Sequence, residues 1–369
     1  MAACVFCAAT LFGSDLTPLP GFSGELAASY STFQRRPFDL TDRSDVTMKA
    51  VLAGFRFARP PRGDLGAGTP ETELRARFVF PNAHTEAAEN DAVPDRVMAD
   101  GSGRYDNFSV LGRVPLGASL SAEAGWGQRR LTTDDLVNIG RSYFNFSEER
   151  ANTSENTVYR VGLRYRGPGF EIAGHGERVS LLGRTNTANE FVLAGGNFWG
   201  ASLDGRWRHG RLGASLTLEG LRGAMPVNGE FAPAFGPVSG SGATSMESAR
   251  LELSYSFSRV DVYIAGTYGR TRLPFVTIAP LGAETRAYDD GFFVESASRD
   301  ADVEAALRVH VTQGVRVTGF VRVSGGTEEV TLTDATLVRP SRTLNVQHRS
   351  YFPFLAGISA DFSVGGTAP

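Results

Sequence analysis

The sequence predicts an all-β chain: a single closed antiparallel transmembrane β-barrel of about 14 strands, with short periplasmic turns and long extracellular loops. Three observations predict it. Apolar and polar residues alternate with a period of two along nearly the whole chain. The alternating segments mostly run about 9 to 12 residues, the length a tilted strand needs to cross a bilayer. The links between them are short and long by turns. Residues 119 to 129 show the rhythm: Leu120, Ala122, Ala124 and Trp126 share one side, and Ser121, Glu123, Gly125, Gly127 and Arg129 the other. A period of two gives an extended strand two unlike faces. Here the polar face carries charge deep inside the strand.

The composition narrows the choice. The chain has 369 residues, a formal charge of -3, 43 glycines and 10% aromatic residues. Of its 37 basic residues only Lys49 is a lysine, a ratio that a GC-rich coding bias explains. The near-neutral balance supplies no basic patch, so nucleic acid is excluded as a partner. Cys4 and Cys7 lie in an apolar opening run about as long as a signal-peptide core, without a basic segment before it. Residues 1 to 23 are read as an export-signal remnant, 24 to 364 as the barrel and 365 to 369 as a tail. A lipid-modified Cys4 would lack the usual leucine-containing context. No cysteine follows residue 7, so the body holds no disulfide framework or thiolate metal site, and no cofactor or metal is expected. No stretch reaches the roughly 18 apolar residues of a spanning helix. Any membrane crossing must use strands.

Taken in order, the alternating segments fall at 24 to 35, 46 to 58, 72 to 80, 104 to 114, 119 to 129, 157 to 166 and 170 to 179, then at 197 to 208, 211 to 221, 248 to 257, 261 to 271, 301 to 311, 315 to 324 and 350 to 362. Short turns separate them at Pro115 to Ala118, Gly167 to Gly169, His209-Gly210, Ser258 to Val260 and Thr312 to Gly314. Long polar or Gly/Pro-rich stretches cover 81 to 103, 130 to 156, 180 to 196, 222 to 247, 272 to 300 and 325 to 349. A compact soluble domain seldom needs one structureless loop beyond about 12 to 15 residues, and this chain would need several. The even strand number places both ends of the barrel on one side. Segment 59 to 71 is the longest link on the short-turn side.

The faces agree with a lipid exterior, where Arg near the midplane would cost about 2 to 4 kcal/mol. Leu212, Ala214, Leu216 and Leu218 oppose Gly213, Ser215, Thr217 and Glu219; Val315, Val317, Val321 and Val323 oppose Arg316, Thr318, Phe320 and Arg322; Tyr159, Val161, Leu163 and Tyr165 oppose Arg160, Gly162, Arg164 and Arg166. A soluble β-sandwich also alternates, but it would need compact loops over an apolar core. Trp126, Trp199, Trp207, Tyr165, Phe257, Tyr268 and Phe362 fall near outward strand ends, where membrane-interface girdles form.

The final strand, Tyr351 to Phe362, alternates apolar residues up to a closing aromatic, Phe362, followed by seven more residues. With the pattern over 24 to 362, this resembles the bacterial outer-membrane β-barrel superfamily, in a porin-like form. The resemblance implies an outer-membrane location and a terminal strand read by the barrel-assembly machinery. It implies outer-membrane lipid and lipopolysaccharide as surroundings, and a small-molecule solute as cargo.

Inward parity collects Arg160, Arg164, Arg166, Arg206, Arg208, Arg250, Arg308, Arg316 and Arg322 with Glu123, Glu171, Glu177, Asp204 and Glu252 as pore-lining candidates. They are densest between 157 and 208, the candidate constriction wall. Two readings stay open: a transverse field that mildly favours anions, or opposite charges that pair across the wall and fill it. His175, between Glu171 and Glu177, could pair with either as a base with its orienter, but no nucleophile motif accompanies the five histidines, and no catalysis is expected. Acidic doublets such as Asp134-Asp135 lack the spacing of a calcium site.

The functional expectation is passive diffusion of small polar solutes. The apolar runs Leu273 to Leu281 and Gly291 to Val294 at the mouth suggest an alternative, a hydrophobic-solute transporter of the fatty-acid type. A plugged barrel that binds a partner through its loops is the third possibility.

Overall fold

In a computed structural model the chain is described at residues 21–35, 43–59, 71–89, 95–141, 144–187, 190–231, 236–277, 292–312, 314–334, 343–351 and 354–364. These residues form strands and tight turns. The strands are β1 (Gly21–Arg35), β2 (Arg43–Arg59), β3 (Glu71–Glu89), β4 (Asp95–Pro115), β5 (Leu120–Arg141), β6 (Phe144–Gly167), β7 (Phe170–Thr187) and β8 (Glu190–His209). They continue with β9 (Leu212–Phe231), β10 (Gly236–Ser256), β11 (Val260–Thr277), β12 (Phe292–Thr312), β13 (Val315–Asp334), β14 (Thr343–Tyr351) and β15 (Phe354–Val364). The last two count as one strand, because Gly326↔Tyr351 and Val323↔Phe354 continue the same register along β13, with 352–353 outside the described residues. The described residues therefore make an antiparallel sheet of fourteen strands.

Each strand pairs with its neighbour in sequence from β1 to β13. β13 also pairs with β15, and β15 with β1, through Val317↔Ala360 and Ala28↔Ile358. Among the described residues the ladder thus runs from the first strand to the last, while β14 pairs with β13 alone. Gly169 and Gly210 take the positive φ values, 77° and 58°, that the tightest turns demand.

The strands are longer than the alternation suggests. β5 spans 22 residues and β6 spans 24, joined across 142–143. The stretches 130 to 156, 180 to 196 and 222 to 247, expected as loops, are mostly the paired outer halves of hairpins. The reason is physical: a spanning-length criterion cuts a strand where its outward face turns polar, but the ladder continues in water while backbone partners remain. Leu273–Thr277 likewise pairs with Phe292–Ser296 rather than folding into the mouth, while 278–291 lies outside the described residues. β1 begins at Gly21 rather than 24. The proposed export segment before it, the tail from 365 and most of the link 59 to 71 also lie outside them.

Which face is concave follows from contacts that skip a strand. Glu123 on β5 meets His175 on β7 over β6, and Arg250 on β10 meets Glu304 on β12 over β11. Side chains converge in this way only on the inside of a curved sheet. The opposite parity is convex, and it is apolar and exposed: Val161, Leu163, Ile264, Val303 and Ile358 each show more than half of their surface.

Candidate functional site

The interior divides into two ion-paired clusters near the short-turn end and an apolar zone farther along the strands. The first cluster lines β4 to β8 and centres on Glu123. Its carboxylate accepts from Arg113 Nε at 2.5 Å, from Arg164 Nε at 2.6 Å and Nη2 at 3.2 Å, and sits 2.7 Å from His175 Nε2. An ionised carboxylate so surrounded can only accept, which assigns the Nε2 hydrogen to His175. Gly162 makes the contact possible, since a Cβ at that position would collide with the His175 ring. Arg164 also pairs with Glu171, which Arg166 reaches at 3.0 Å. Arg160 pairs with Glu177 at 2.6 Å, and Ser202 donates to the same Glu177 at 2.7 Å.

The second cluster lines β10 to β15. Glu304 accepts from Arg322 Nη2 at 2.5 Å and Arg250 Nη2 at 3.1 Å, and Arg250 also reaches Glu252 at 3.4 Å. Arg308, almost wholly buried, donates to Thr318 and to Tyr263, whose hydroxyl donates to Asp261. His310 Nε2 lies 2.7 Å from Asp261. Arg316 stands beside them, with its buried Nε unpartnered among the described residues.

The apolar zone lies on the same interior parity, farther from the short turns. Phe198 on β8 shares parity with Ser202, Leu221 and Met225 on β9 share it with Thr217, and Thr244 on β10 with Arg250. All four residues are buried, Phe198 to 1% exposure. Phe198 and Thr244 flank Gly223 in register, and Leu221 and Met246 are register partners. A Cβ on Gly223 would meet Phe198, and one on Gly200 would meet Leu221. The absent side chains let the two apolar groups lie along the wall.

The sequence-derived candidates thus separate. Arg160, Arg164, Glu123, Glu171 and Glu177 come together in one network, and Arg250, Glu252, Arg308 and Arg322 in another, with Arg316 alongside. Asp204 accepts from Thr217 at 3.0 Å, Arg206 is exposed near Glu171, and Arg208 stands exposed at the turn end. The expected partners of His175, Glu171 and Glu177, are corrected: the ring meets Glu123, because Gly162 opens a path across β6 that neighbours on its own strand do not have. Parity placed Thr318 inward but gave no reason to single it out, and it overlooked Ser202 and Tyr263, since none of the three carries a charge to draw notice. It also passed over Phe198 and Leu221, whose signal was an apolar residue on an otherwise polar face.

The convex face carries the aromatics. Trp126, Tyr159, Trp199 and Tyr268 are exposed and are the last outward apolar residues before polar ones, while Tyr165, Phe170, Trp207 and Phe257 mark the short-turn end. Trp126 packs edge-on against Phe108 at 5.8 Å, and the Phe362 ring covers Gly24.

This architecture, an antiparallel sheet with an apolar convex face and a charged concave one, is the fold of the bacterial outer-membrane β-barrels. Two solved structures of the monoaromatic hydrocarbon channel TodX share it: the deltaS2 mutant, with a TM-score of 0.55 at 10% identity over 97% of this chain and 93% of that one, and the deltaS2S3 mutant, at 0.52 and 10% over 94% and 91%. The Pseudomonas putida toluene transporter TodX matches at 0.50 and 10% over 98% and 93%. No protein-family model and no curated protein matches the sequence. At such identity the likeness establishes the fold.

Proposed function

We propose that the protein is a closed fourteen-stranded barrel of the bacterial outer membrane that passes hydrophobic solutes rather than small polar ones. The observation that carries this reading is the apolar interior zone of Phe198, Leu221 and Met225 beyond the charged clusters. These side chains are buried against their neighbours and leave this stretch of the interior without the hydrogen-bond partners that a polar solute and its water need. An apolar solute needs no such partners.

The charged clusters support the same reading. Their arginines are largely matched by neighbouring carboxylates, so opposite charges lie side by side instead of on facing walls. A transverse field that selects anions needs separated charge. The similarity in fold to channels described as carrying toluene and monoaromatic hydrocarbons fits this choice of solute. We read the barrel as a conduit rather than an enzyme, since the Ser202 hydroxyl, 3.5 Å from His175 Nδ1, donates to Glu177 instead.

The test compares uptake of radiolabelled toluene with liposome swelling in arabinose, for the native protein and for Phe198→Asp. Native protein should speed toluene entry and leave swelling at the protein-free rate, and Phe198→Asp should lose the toluene advantage. Rapid swelling in arabinose with no effect on toluene would reverse the assignment.

A further inference from the structure

Four buried side-chain atoms lack a hydrogen-bond partner among the described residues: Asn156 Oδ1, Thr244 Oγ1, Arg308 Nη2 and Arg316 Nε. The two arginines belong to the second charged cluster, where an Asp361 oxygen lies 3.9 Å from Arg308. Asn156 stands at the edge of the apolar zone on β6 and is only half-buried. Thr244 is different. It is 3% exposed and sits inside the apolar zone, so its hydroxyl has given up water and gained nothing in return. A buried polar group without a partner costs stability, and folded proteins carry few of them.

The local sequence explains why no neighbour answers it. Across the β9–β10 ladder the register partner of Thr244 is Gly223, which has no side chain, and beyond Gly223 comes Phe198. Along β10 the next positions of the same parity are Gly242 and Met246, whose partners on β9 are Met225 and Leu221. None of these six residues carries a side-chain oxygen or nitrogen. The Phe198 ring leans over Gly223, toward β10, because no Cβ stands in its way.

A solute in this zone therefore meets an aromatic face, thioether side chains that repack readily, and one hydroxyl whose donor and acceptor capacity is unused. A sugar would need many such partners. A solute with one hydroxyl on an apolar body needs only one, whereas a bare hydrocarbon leaves Thr244 as unpaired as before.

We propose that the zone selects hydroxylated apolar solutes of the phenol class, and that Thr244 is the residue that reads the hydroxyl. The solute ring lies against Phe198, and Thr244 Oγ1 exchanges a hydrogen bond with the solute oxygen. This inference rests on the reading of the protein as a hydrophobic-solute channel and narrows its solute class.

The experiment measures binding of radiolabelled p-cresol and toluene, which differ by one hydroxyl, to the full folded chain in phospholipid nanodiscs, with empty nanodiscs as the blank. Thr244→Val should weaken p-cresol binding about tenfold and leave toluene binding unchanged, while Thr244→Ser, which keeps the hydroxyl, should keep p-cresol binding. Without solute, Thr244→Val should unfold at a higher urea concentration than the native protein, because the unpaired hydroxyl is gone. Equal effects of Thr244→Val on the two solutes overturn the proposal. So does a lower urea midpoint for solute-free Thr244→Val, which would show a hydroxyl already partnered in the empty protein. Native protein that binds toluene but shows no dependence on Thr244 for p-cresol fails this inference alone, whereas binding of neither solute above the blank fails the channel reading as well.

Discussion

Glu123 shows how much one residue holds. Its carboxylate joins Arg113, Arg164 and His175, from strands on both sides of its own, and is nearly inaccessible to solvent. Glu123→Ala would leave two guanidiniums and an imidazole facing a void, and breaking such a buried cluster costs about 3 to 5 kcal/mol. The urea midpoint of the folded, heat-modifiable form should fall accordingly; an unchanged midpoint would show that the network contributes nothing to stability. Gly162→Ala should act on the same cluster from outside it, since the added Cβ meets both the Gly174 carbonyl and the His175 ring. A loss of about 1 to 3 kcal/mol is expected, and part of it should persist when His175→Ala is already present, because the Gly174 carbonyl remains in the way. At this scale parity made the inward position of Glu123 legible. The identity of its partners was not, because His175 lies two strands away and arrives only through the register of two hairpins and the gap at Gly162.

Strands are where the sequence speaks most clearly. Alternation places Val303, Ala305, Leu307, Val309 and Val311 of β12 outward, and each is exposed on the convex face. Depth then sets the cost of a charge. Leu307→Arg, well inside the apolar band, should destabilise the protein in phospholipid by about 2 to 4 kcal/mol, and Val311→Arg, next to the turn, by about 0 to 1. Equal effects at the two positions would mean that β12 does not cross the bilayer. Strand ends were less legible than strand centres. Beyond Trp126 the outward residues of β5 are Gln128 and Arg130, so the amphipathic signal stops although the backbone ladder runs on to Arg141. Pairing in water needs only backbone partners, and these leave no mark in side-chain pattern.

For the whole molecule, the all-β class and the even strand number followed from alternation and link lengths. The division of the interior did not, because period two tells inside from outside but carries no information on what covers an inward residue. Phe198 and Arg164 have the same parity status, yet one is buried among apolar side chains and the other in an ion-pair cluster. Pairing between the first and last strands is open to test. Ala28 and Ile358 are register partners on the exposed face, and the sequence has no cysteine after residue 7. Oxidised A28C/I358C should unfold at a higher urea concentration than its reduced form, by up to roughly 6 kcal/mol for a loop of this size. Failure to form the disulfide would separate β1 from β15.

The central claim is that each strand is one wall between lipid and an interior. A spin-label scan of β9 from 212 to 219, in phospholipid vesicles, tests it most directly. Oxygen accessibility should oscillate with a period of two, high at 212, 214, 216 and 218 and low at 213, 215, 217 and 219, with a polar relaxation agent showing no access at the outward set. A flat profile, or the polar agent reaching both sets equally, would contradict it.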